Sequence, residues 1–301
     1  MIDIIIVNFN AADFLQPLLE ALLRPPQKPI SRHSSYQVTV VDNASSDNSV
    51  EIASQFPAVR VVQRQENDGY AAAVNDGLSS THNSEILLLN SDILIKPDQV
   101  AALWRIWERL DFPAVLGPLH FEEDGWPQQT WGMRPTRAIE KQRRTLEYGL
   151  QKQATWARRE ALKICSRTRE VDWVSGSCMF FPRWAVREAG PWDQNFFLFF
   201  EDIDWCLRVK EAGLKVYHTP EVQVQHAHGV SVEQDPELAE IEYRISQCYF
   251  TAKHMGRWSL MGLRFYLTLK MLGRLVIGGW SGFSRGSSWD ILREVWRNPL
   301  A

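Results

Sequence analysis

Cysteine is scarce in this chain of 301 residues, and its four cysteines are scattered. None lies within three residues of another, so the sequence contains neither a zinc ribbon nor a redox-active pair. A chain of this length can bury a full hydrophobic core and needs no disulfide for stability. The pattern is typical of reduced, mostly buried thiols in a cytoplasmic protein. The four are Cys165, Cys178, Cys206 and Cys248.

Long apolar runs and one-sided charge are also missing. No uncharged apolar stretch reaches the roughly 18 residues that a membrane-spanning helix needs. No basic segment precedes the first apolar residues, and Asp3, Asn8 and Asn10 interrupt them, so no secretory signal is recognisable. The formal net charge of -3 argues against general nucleic-acid binding. We therefore predict a protein that is neither secreted nor integral to a membrane.

The first 100 residues alternate short apolar runs with segments of helical spacing. Runs rich in Val, Ile and Leu predict buried strands, and apolar residues three or four apart predict the helices between them. We predict strands at 2–7, 37–41, 59–63 and 86–89, helices at 11–23, 47–55 and 69–78, and two later strands at 214–218 and 222–226. This order indicates an α/β fold with a mostly parallel sheet and helices on both faces.

Polar residues directly follow the predicted strands, at the edge of the sheet where α/β proteins bind ligands. Asp42 follows the second strand and is placed to accept a hydrogen bond from a nucleotide base, although aspartate is also a common helix cap. Asp92 follows the fourth strand, where a carboxylate either holds a divalent cation or closes a turn. Gly69 permits close backbone approach before a helix whose N-terminus favours a diphosphate.

Two segments of the second half carry groups suited to acid–base and metal chemistry. The segment FFLFFEDIDW places Glu201, Asp202 and Asp204 after a nearly continuous apolar run. Like-charge repulsion raises at least one pKa in such a cluster, which suits a general base. Asp204 is alternatively a helix cap. The segment VQVQHAHG places His226 and His228 after a strand, where neutral imidazole can ligate a metal.

Taken in order, seven segments resemble the blocks of the inverting glycosyltransferase family 2, most closely its bacterial rhamnosyltransferase-like branch. They are IIIVNFN, VVDNASSDNS, NDGYAAAVNDG, LLLNSDI, WVSGSCMFF, FFLFFEDIDWCLRVKEAG and VQVQHAHGVS. The resemblance runs from residue 2 to about 231, and the ordered set is far more specific than any single block. It implies the GT-A fold, a Rossmann-like, mostly parallel mixed sheet with helices on both faces, followed here by a C-terminal helical segment.

The resemblance also implies roles for individual residues. Asp202 would be the catalytic base, and Asp92 with His226 would hold Mn²⁺ or Mg²⁺. The nucleotide site would comprise Asn8, Asn10, Asp42, Asn67, Gly69, Asn75, Asn90 and Asp92. The candidate acceptor site would comprise Glu201, Gly176 and Trp173. In one departure from the family, Asn90 replaces the first acid of the DxD motif and removes one charge from the metal site.

Two segments of the chain are markedly basic. Residues 134–170 contain eleven Lys or Arg against four Glu, which indicates either a solvated helical insertion or a lid and surface for anionic acceptors. Residues 251–301 contain eight basic and two acidic residues, which is typical of an amphipathic helix at a membrane or of a final helix packed on the domain. We predict a GT-A domain at 1–250, with a nucleotide-binding half at 1–100 and an acceptor half at 101–250, and a basic amphipathic helical tail at 251–301.

These features predict a glycosyltransferase that moves a sugar from dTDP-rhamnose or a UDP-sugar onto a hydroxyl of a glycan or polyprenyl-linked acceptor in surface polysaccharide synthesis. We expect a cytoplasmic protein with peripheral contact at the inner face of the plasma membrane through its tail. One alternative is a nucleotidyltransferase, but the glycine-rich basic loop expected after the first strand is missing. The other is a non-catalytic sugar-nucleotide-binding or membrane scaffold protein.

Overall fold

A mixed sheet forms the centre of the computed structural model, which describes residues 1–25, 35–110, 114–227, 235–277 and 285–297. The strands are β1 Ile2–Asn8, β2 Tyr36–Asp42, β3 Val59–Gln63, β4 Glu85–Asn90, β5 Ile93–Leu94, β6 Ala114–Phe121, β7 Pro127–Gln128, β8 Trp131–Gly132, β9 Arg169–Val171, β10 Trp173–Val174, β11 Cys178–Pro182 and β12 Lys215–His226. The helices are α1 Ala12–Leu22, α2 Ser49–Ser54, α3 Tyr70–Ser80, α4 Pro97–Glu108, α5 Arg137–Gln151, α6 Thr155–Ile164, α7 Arg183–Ala189, α8 Glu201–Glu211, α9 Pro236–Met255, α10 Arg257–Ile277 and α11 Arg285–Arg297. The main path of the sheet is β3-β2-β1-β4-β11-β6-β12-β5.

The first half is parallel and is covered by helices on both faces. Strand β1 pairs in parallel with β2 and β4, and all seven of its residues are buried. Ile4 and Ile6 pack with Leu15 of α1 on one face. Ile5 packs with Val74 of α3 on the other. Because both faces of the strand are covered, its apolar run is continuous rather than alternating, and the predicted α/β fold is confirmed.

The second half adds antiparallel pairing and corrects one prediction. Strand β11 runs antiparallel to β4 and β6, whereas β12 runs parallel to β6. We predicted two strands at 214–218 and 222–226, but the structure has the single strand β12. The register shifts between Thr219 and Gln223, around Pro220, which has no N–H to donate to the ladder. The proline therefore produces a bulge instead of ending the strand.

Helices account for both basic segments as far as the structure describes them. In the insertion at 134–170, α5 and α6 pack together around Leu146, Leu150 and Ala157. Toward the C-terminus, α9, α10 and α11 form a small core of their own. The predicted boundary at 250 falls inside α9, because that helix begins at Pro236.

Candidate active site

The turns after β1 and β2 are joined by buried polar side chains. The Asn8 amide donates to Asp42 Oδ1 at 3.0 Å and to Ser45 Oγ at 3.2 Å. Asp42 Oδ2 accepts the Ser45 N–H at 3.0 Å. Both Asn8 and Asp42 are 0% exposed, and Asn8 Oδ1 has no hydrogen-bond partner within the described residues. Asp42 thus organises this edge of the sheet, and its expected contact with a base stays a prediction.

Asn10 continues the same edge in an unusual backbone conformation. Its φ is 48°, and that of Ala44 is 62°, in the left-handed region that most side chains avoid. Asn10 Oδ1 accepts the Ser46 N–H at 2.7 Å, and its own N–H donates to Ser45 Oγ at 2.9 Å. Local strain of this kind is concentrated at ligand-binding turns, which agrees with the position predicted for Asn10.

Gly69 brings the nucleotide half against the loop that precedes α8. Its φ is 95°, and a Cβ at this position would lie 2.4 Å from the Phe197 carbonyl oxygen, so the position requires glycine. Asn67 Oδ1 accepts from the Gly69 N–H at 3.1 Å and from the Asn43 amide at 2.7 Å. Tyr70 N–H then donates to Phe197 O at 2.8 Å. Asn67 and Gly69 therefore shape the start of α3.

Asn75, which the resemblance assigns to the nucleotide site, forms its side-chain hydrogen bonds with the backbone of Trp192. Its amide donates to Trp192 O at 2.9 Å, and its Oδ1 accepts Trp192 N–H at 3.0 Å. Both ends of the side chain are therefore engaged in holding α3 to the segment before α8. The residue also lines an open cavity of about 500 Å³ with Arg208 and Lys253.

Asp92 and His226 meet at the carboxyl ends of β4 and β12. His226 Nε2 lies 3.4 Å from Asp92 Oδ1, and both side chains are 10% exposed. Ala227 N–H donates to Asp92 O at 3.1 Å and fixes the two segments side by side. Nearby in sequence, Asn90 Oδ1 is buried without a hydrogen-bond partner in the described structure. His228 falls outside the described residues.

Gln128, which the sequence did not single out, determines the tautomer of His226. Its amide N–H donates to the His226 backbone carbonyl at 3.3 Å, so its Oε1 faces His226 Nδ1 at 2.8 Å. An amide oxygen only accepts, so Nδ1 carries a proton. Nε2 then faces Asp92, and in the neutral ring its lone pair would be available to a metal ion. No sequence signal reveals Gln128, because the contact joins residues 98 positions apart.

Asp92 and His226 alone supply too few ligands for a divalent cation, and a bound diphosphate would have to supply the others. Over the described ranges, no cluster of three or more His, Cys, Asp and Glu side chains is placed to hold a metal ion. Asp92 offers a carboxylate and His226 an oriented imidazole nitrogen, which are two ligands of suitable chemistry. Phosphate oxygens of a bound diphosphate would complete the coordination. The donor set is thus compatible with a shared metal–diphosphate site.

Asp202 lies at the N-terminus of α8, after two strained residues. Phe199 and Phe200 have φ values of 69° and 67°, which is unfavourable for residues with a Cβ. The Asp202 carboxylate accepts the Gly176 N–H at 3.1 Å and the Ile203 N–H at 2.7 Å. Burial raises its pKa in spite of these hydrogen bonds. The strain and the hydrogen bonds together hold one carboxylate in a fixed position.

Glu201 and Asp204 lie on either side of Asp202, and the causes of their pKa shifts differ from those that the sequence predicts. Burial is the main reason that the pKa of Glu201 is raised well above its usual value, and the charge of Asp202 adds to it. The like-charge repulsion predicted from the sequence is therefore present, but it is the smaller cause. Burial would also raise the pKa of Asp204, but hydrogen bonds from His254 and Lys253 and the charge of Arg208 lower it. Asp204 is thus an ion-pairing residue that ties α8 to α9, not a base.

Tyr70 links the metal-binding candidates to the candidate base. Its hydroxyl donates to Gly176 O at 2.9 Å, and the ring lies beside the position of a Gly176 Cβ. Burial raises the pKa of Tyr70 first, and the negative charges of Glu201, Asp202 and Asp92 raise it further. Tyr70 and Asp202 thus meet at Gly176, and the charge of Asp92 also acts on the tyrosine. Sequence reasoning missed it because a tyrosine after a glycine carries no specific signal.

Trp173 is placed differently from the predicted acceptor contact. Its ring is 5% exposed and covers Gly132, and its Nε1–H donates to Met133 O at 3.1 Å. A ring buried in this way has no free face on which a sugar can stack. Trp173 therefore belongs to the hydrophobic core rather than to an acceptor surface.

The basic insertion is joined to α9 through Arg143. This guanidinium binds Glu140, Glu147 and the Tyr243 hydroxyl, and it is only 19% exposed. Its positive charge acts to lower the pKa of Asp202. At this position the insertion is therefore packed against the domain rather than solvated.

Comparison with protein-family models places most of the chain in one group. Residues 3–168 match the model of glycosyl transferase family 2, and residues 163–280 match that of glycosyl transferase family group 2. The N-acetylglucosaminyl-diphospho-decaprenol L-rhamnosyltransferase of Mycobacterium tuberculosis is 26% identical over 90% of this chain and 93% of its own length. Rhamnosyltransferase WbbL of Escherichia coli K12 is 25% identical over 75% of this chain and 83% of its own.

Two solved structures show the same fold at low sequence identity. The mannosyltransferase PcManGT of Pyrobaculum calidifontis, in complex with GDP-Man and Mn²⁺, has a TM-score of 0.55 at 13% identity, covering 99% of this chain and 88% of its own. GalNAc-T7 with UDP, GalNAc and Mn²⁺ has a TM-score of 0.54 at 15% identity, covering 84% of this chain and 50% of its own. The GT-A fold predicted from the sequence is confirmed by these likenesses.

Proposed function

Because this chain belongs to glycosyl transferase family 2 and is a glycosyltransferase, we propose that it transfers a hexose with inversion from a pyrimidine-nucleotide-diphosphate donor to a lipid-linked glycan. We propose dTDP-rhamnose as the first donor and UDP-sugars as the second, since two relatives are named as rhamnosyltransferases. The observation that carries the proposal is the geometry at two positions. Asp92 Oδ1 faces His226 Nε2 at 3.4 Å, and the backbone N–H groups of Gly176 and Ile203 fix the carboxylate of Asp202.

The chemistry assigned to Asp202 is removal of a proton from the acceptor hydroxyl. The freed oxygen attacks the anomeric carbon while the bond from that carbon to the diphosphate oxygen breaks, and the diphosphate leaves with the electron pair. The configuration inverts because attack and departure occur on opposite faces. The backbone N–H groups of Gly176 and Ile203 hold both oxygens of Asp202. A base fixed in this way needs little reorganisation when the proton moves.

Asp92 and His226 are assigned to the diphosphate end of the donor. A divalent cation bound there would stabilise the negative charge of the leaving diphosphate. Asn90 Oδ1, which is buried and unpaired among the described residues, is available to accept a hydrogen bond at the same edge. The nucleoside is assigned to the ends of β1 and β2, where Asn8, Asn10 and Asp42 lie.

The proposal also includes the acceptor and the location. The relative from Mycobacterium tuberculosis is named for a decaprenol-linked substrate, and we extend a polyprenyl-linked acceptor and a role in cell-envelope polysaccharide synthesis to this chain. Such a substrate would place the enzyme peripherally at the inner face of the plasma membrane, in contact through residues 251–301. In the part of the chain that the structure describes, no helix is both long and apolar enough to span a bilayer.

Titration of the purified protein with UDP, dTDP, GDP and CDP, with and without Mn²⁺, tests the donor site. We expect a pyrimidine diphosphate to bind, and Mn²⁺ to tighten its binding, because Asp92 and His226 lie where the diphosphate would be. Failure of all four to bind in the presence of Mn²⁺ would contradict the proposal and leave a non-catalytic scaffold as the better description.

Replacing Gln128 by leucine is expected to weaken Mn²⁺ binding by about 10–100-fold, which is typical for loss of a residue that orients a metal-binding histidine. Without Gln128 Oε1, the Nδ1–H of His226 loses its acceptor, and the ring can rotate and carry its proton on Nε2. Calorimetry measures the affinity, and ¹⁵N chemical shifts of His226 in the metal-free protein report the tautomer.

The adjacent Gln129 provides the matched control, since the structure shows no bond from it to His226. Gln129→Leu should leave both the affinity and the ¹⁵N shifts unchanged. If Gln128→Leu also leaves the His226 tautomer unchanged, Gln128 does not position the ring.

A further inference from the structure

Helix α10 has an apolar stripe on the side that faces away from the protein. The stripe consists of Trp258, Met261, Phe265, Leu269 and Leu272, which are spaced three or four residues apart along one helix face. Their exposed fractions are 78%, 44%, 64%, 55% and 43%. The opposite face is buried against α9 and α11 through Leu260, Leu267 and Met271. One apolar face thus stabilises the fold, and the other is an interaction surface.

Basic residues lie along one edge of this stripe. With about 100° of rotation per residue, Arg257 and Arg264 fall along that edge, whereas Lys270 lies farther round the helix. The helix has four Lys or Arg and no Asp or Glu. The Arg257 guanidinium lies over the Trp258 ring at 5.3 Å. The helix is therefore apolar in the centre of its outer face and cationic along one border.

Helix α11 extends the same surface. Trp296 Nε1–H donates to Thr268 Oγ1 of α10 at 3.0 Å, and the Arg264 guanidinium lies 5.6 Å from the centre of the Trp296 ring. Trp296 is 48% exposed, and Trp289 of the same helix is 60% exposed. We refer to the α10 stripe together with Trp289 and Trp296 as the tail surface.

We propose that the tail surface binds the headgroup region of an anionic lipid bilayer, with α10 lying in the plane of the membrane. Tryptophans, aliphatic side chains and flanking cations on one helix face match the apolar boundary and the anionic headgroups of such a bilayer. A second copy of the chain fits less well. Pairing two α10 stripes would bring Arg257 and Arg264 of each helix together, and α10 carries no Asp or Glu to offset their charge.

The surface is connected to the candidate active site through α9. Ser246 Oγ–H donates to Leu198 O at 2.8 Å, and His254 Nε2 lies 2.7 Å from Asp204 Oδ1. Phe250 packs with Phe200, the residue before Glu201. Binding of the tail surface to a bilayer would thus fix α8 relative to the membrane. This inference rests on the proposed function in one respect, which is that a lipid-linked acceptor would be reached at the membrane.

Vesicle co-sedimentation tests the proposal with the full chain. We expect binding to phosphatidylcholine vesicles that contain phosphatidylglycerol, weaker binding at high salt, and little binding to phosphatidylcholine alone. The double variant Phe265→Ser, Leu269→Ser should bind the anionic vesicles at least about tenfold more weakly, because it removes two large apolar groups from the stripe. Both positions are exposed, so the fold should not depend on them.

The double variant Tyr148→Ser, Leu162→Ser is the matched control, since both side chains are exposed on the basic insertion. It should bind anionic vesicles as the unmodified chain does. Equal binding to both vesicle types, or unchanged binding of the α10 variant, would overturn the proposal. So would a dimer in light scattering that the α10 variant abolishes. The vesicle assay requires no catalysis, and Asp202→Asn should bind normally, so failure of the transferase proposal would be seen separately.

Discussion

Replacing Asp202 by asparagine is expected to lower the rate of sugar transfer by about 10²–10⁴-fold, the usual contribution of a general base. Asparagine has nearly the same shape but cannot take a proton from the acceptor hydroxyl. Its side-chain oxygen can still accept a hydrogen bond from one of the two backbone N–H groups that donate to Asp202, which are those of Gly176 and Ile203. Nucleotide binding should remain close to that of the unmodified chain, because the assigned nucleotide residues lie at the ends of other strands.

The pH dependence of transfer provides a second readout. Burial raises the pKa of Asp202, and the hydrogen bonds from Gly176 and Ile203 act in the opposite direction, as does the charge of Arg143. Only the deprotonated carboxylate is a base, so transfer should increase as the pH rises through this raised value and fall on its acid side. The Asp202→Asn variant should lose this acid limb along with most of its activity.

The control for Asp202→Asn is Asp98→Asn in the first turn of α4, outside the candidate site. This variant should transfer sugar at the normal rate and with the normal pH profile. Thermal unfolding of both variants establishes that they are folded. Transfer by Asp202→Asn within a few-fold of the unmodified rate would remove Asp202 from the role of base.

The sequence predicts the first half of the fold well because its local signals agree with the tertiary structure. The apolar run of β1 is buried on both faces, and the predicted strand at 59–63 coincides with β3. Pro220 shows where such signals fail. A proline usually ends a strand, but here pairing with β6 continues on both sides of the bulge, and the local signal cannot report that partner.

Charged residues of the candidate site could be predicted from the sequence, whereas residues that act through a distant neighbour could not. Acids after apolar runs are unusual, which singles out Asp92 and the cluster around Asp202, and the resemblance to family 2 then points to Asp202 within that cluster. Gln128 and Tyr70 carry no such signal, since their roles depend on contacts across 98 and 106 residues. Arg143 is one of many basic residues, and composition does not show which of them faces inward. Trp173 is the opposite case, since the resemblance assigns it to the acceptor site but it lies in the core.

Replacing Asp92 by asparagine is expected to weaken Mn²⁺-dependent binding of a nucleotide diphosphate by about 100-fold or more, since a hard cation loses its only charged ligand from this turn. The effect should be large because Asn90 replaces the other acid of the motif and cannot compensate. Binding measured without metal should not weaken and should become somewhat tighter, because asparagine removes a negative charge that repels the diphosphate. Calorimetry with and without Mn²⁺ separates the two quantities.

A double-mutant cycle with His226→Ala tests whether both side chains bind the same ion. Asp92 Oδ1 and His226 Nε2 are 3.4 Å apart, close enough for one cation to contact both. If they share it, losing either abolishes most of the metal-dependent binding, and the double variant should be hardly weaker than the single ones. Additive losses would instead place the two residues in separate sites. Unchanged Mn²⁺ dependence in Asp92→Asn would show that Asp92 is not a ligand of the ion and would require other residues to hold the metal.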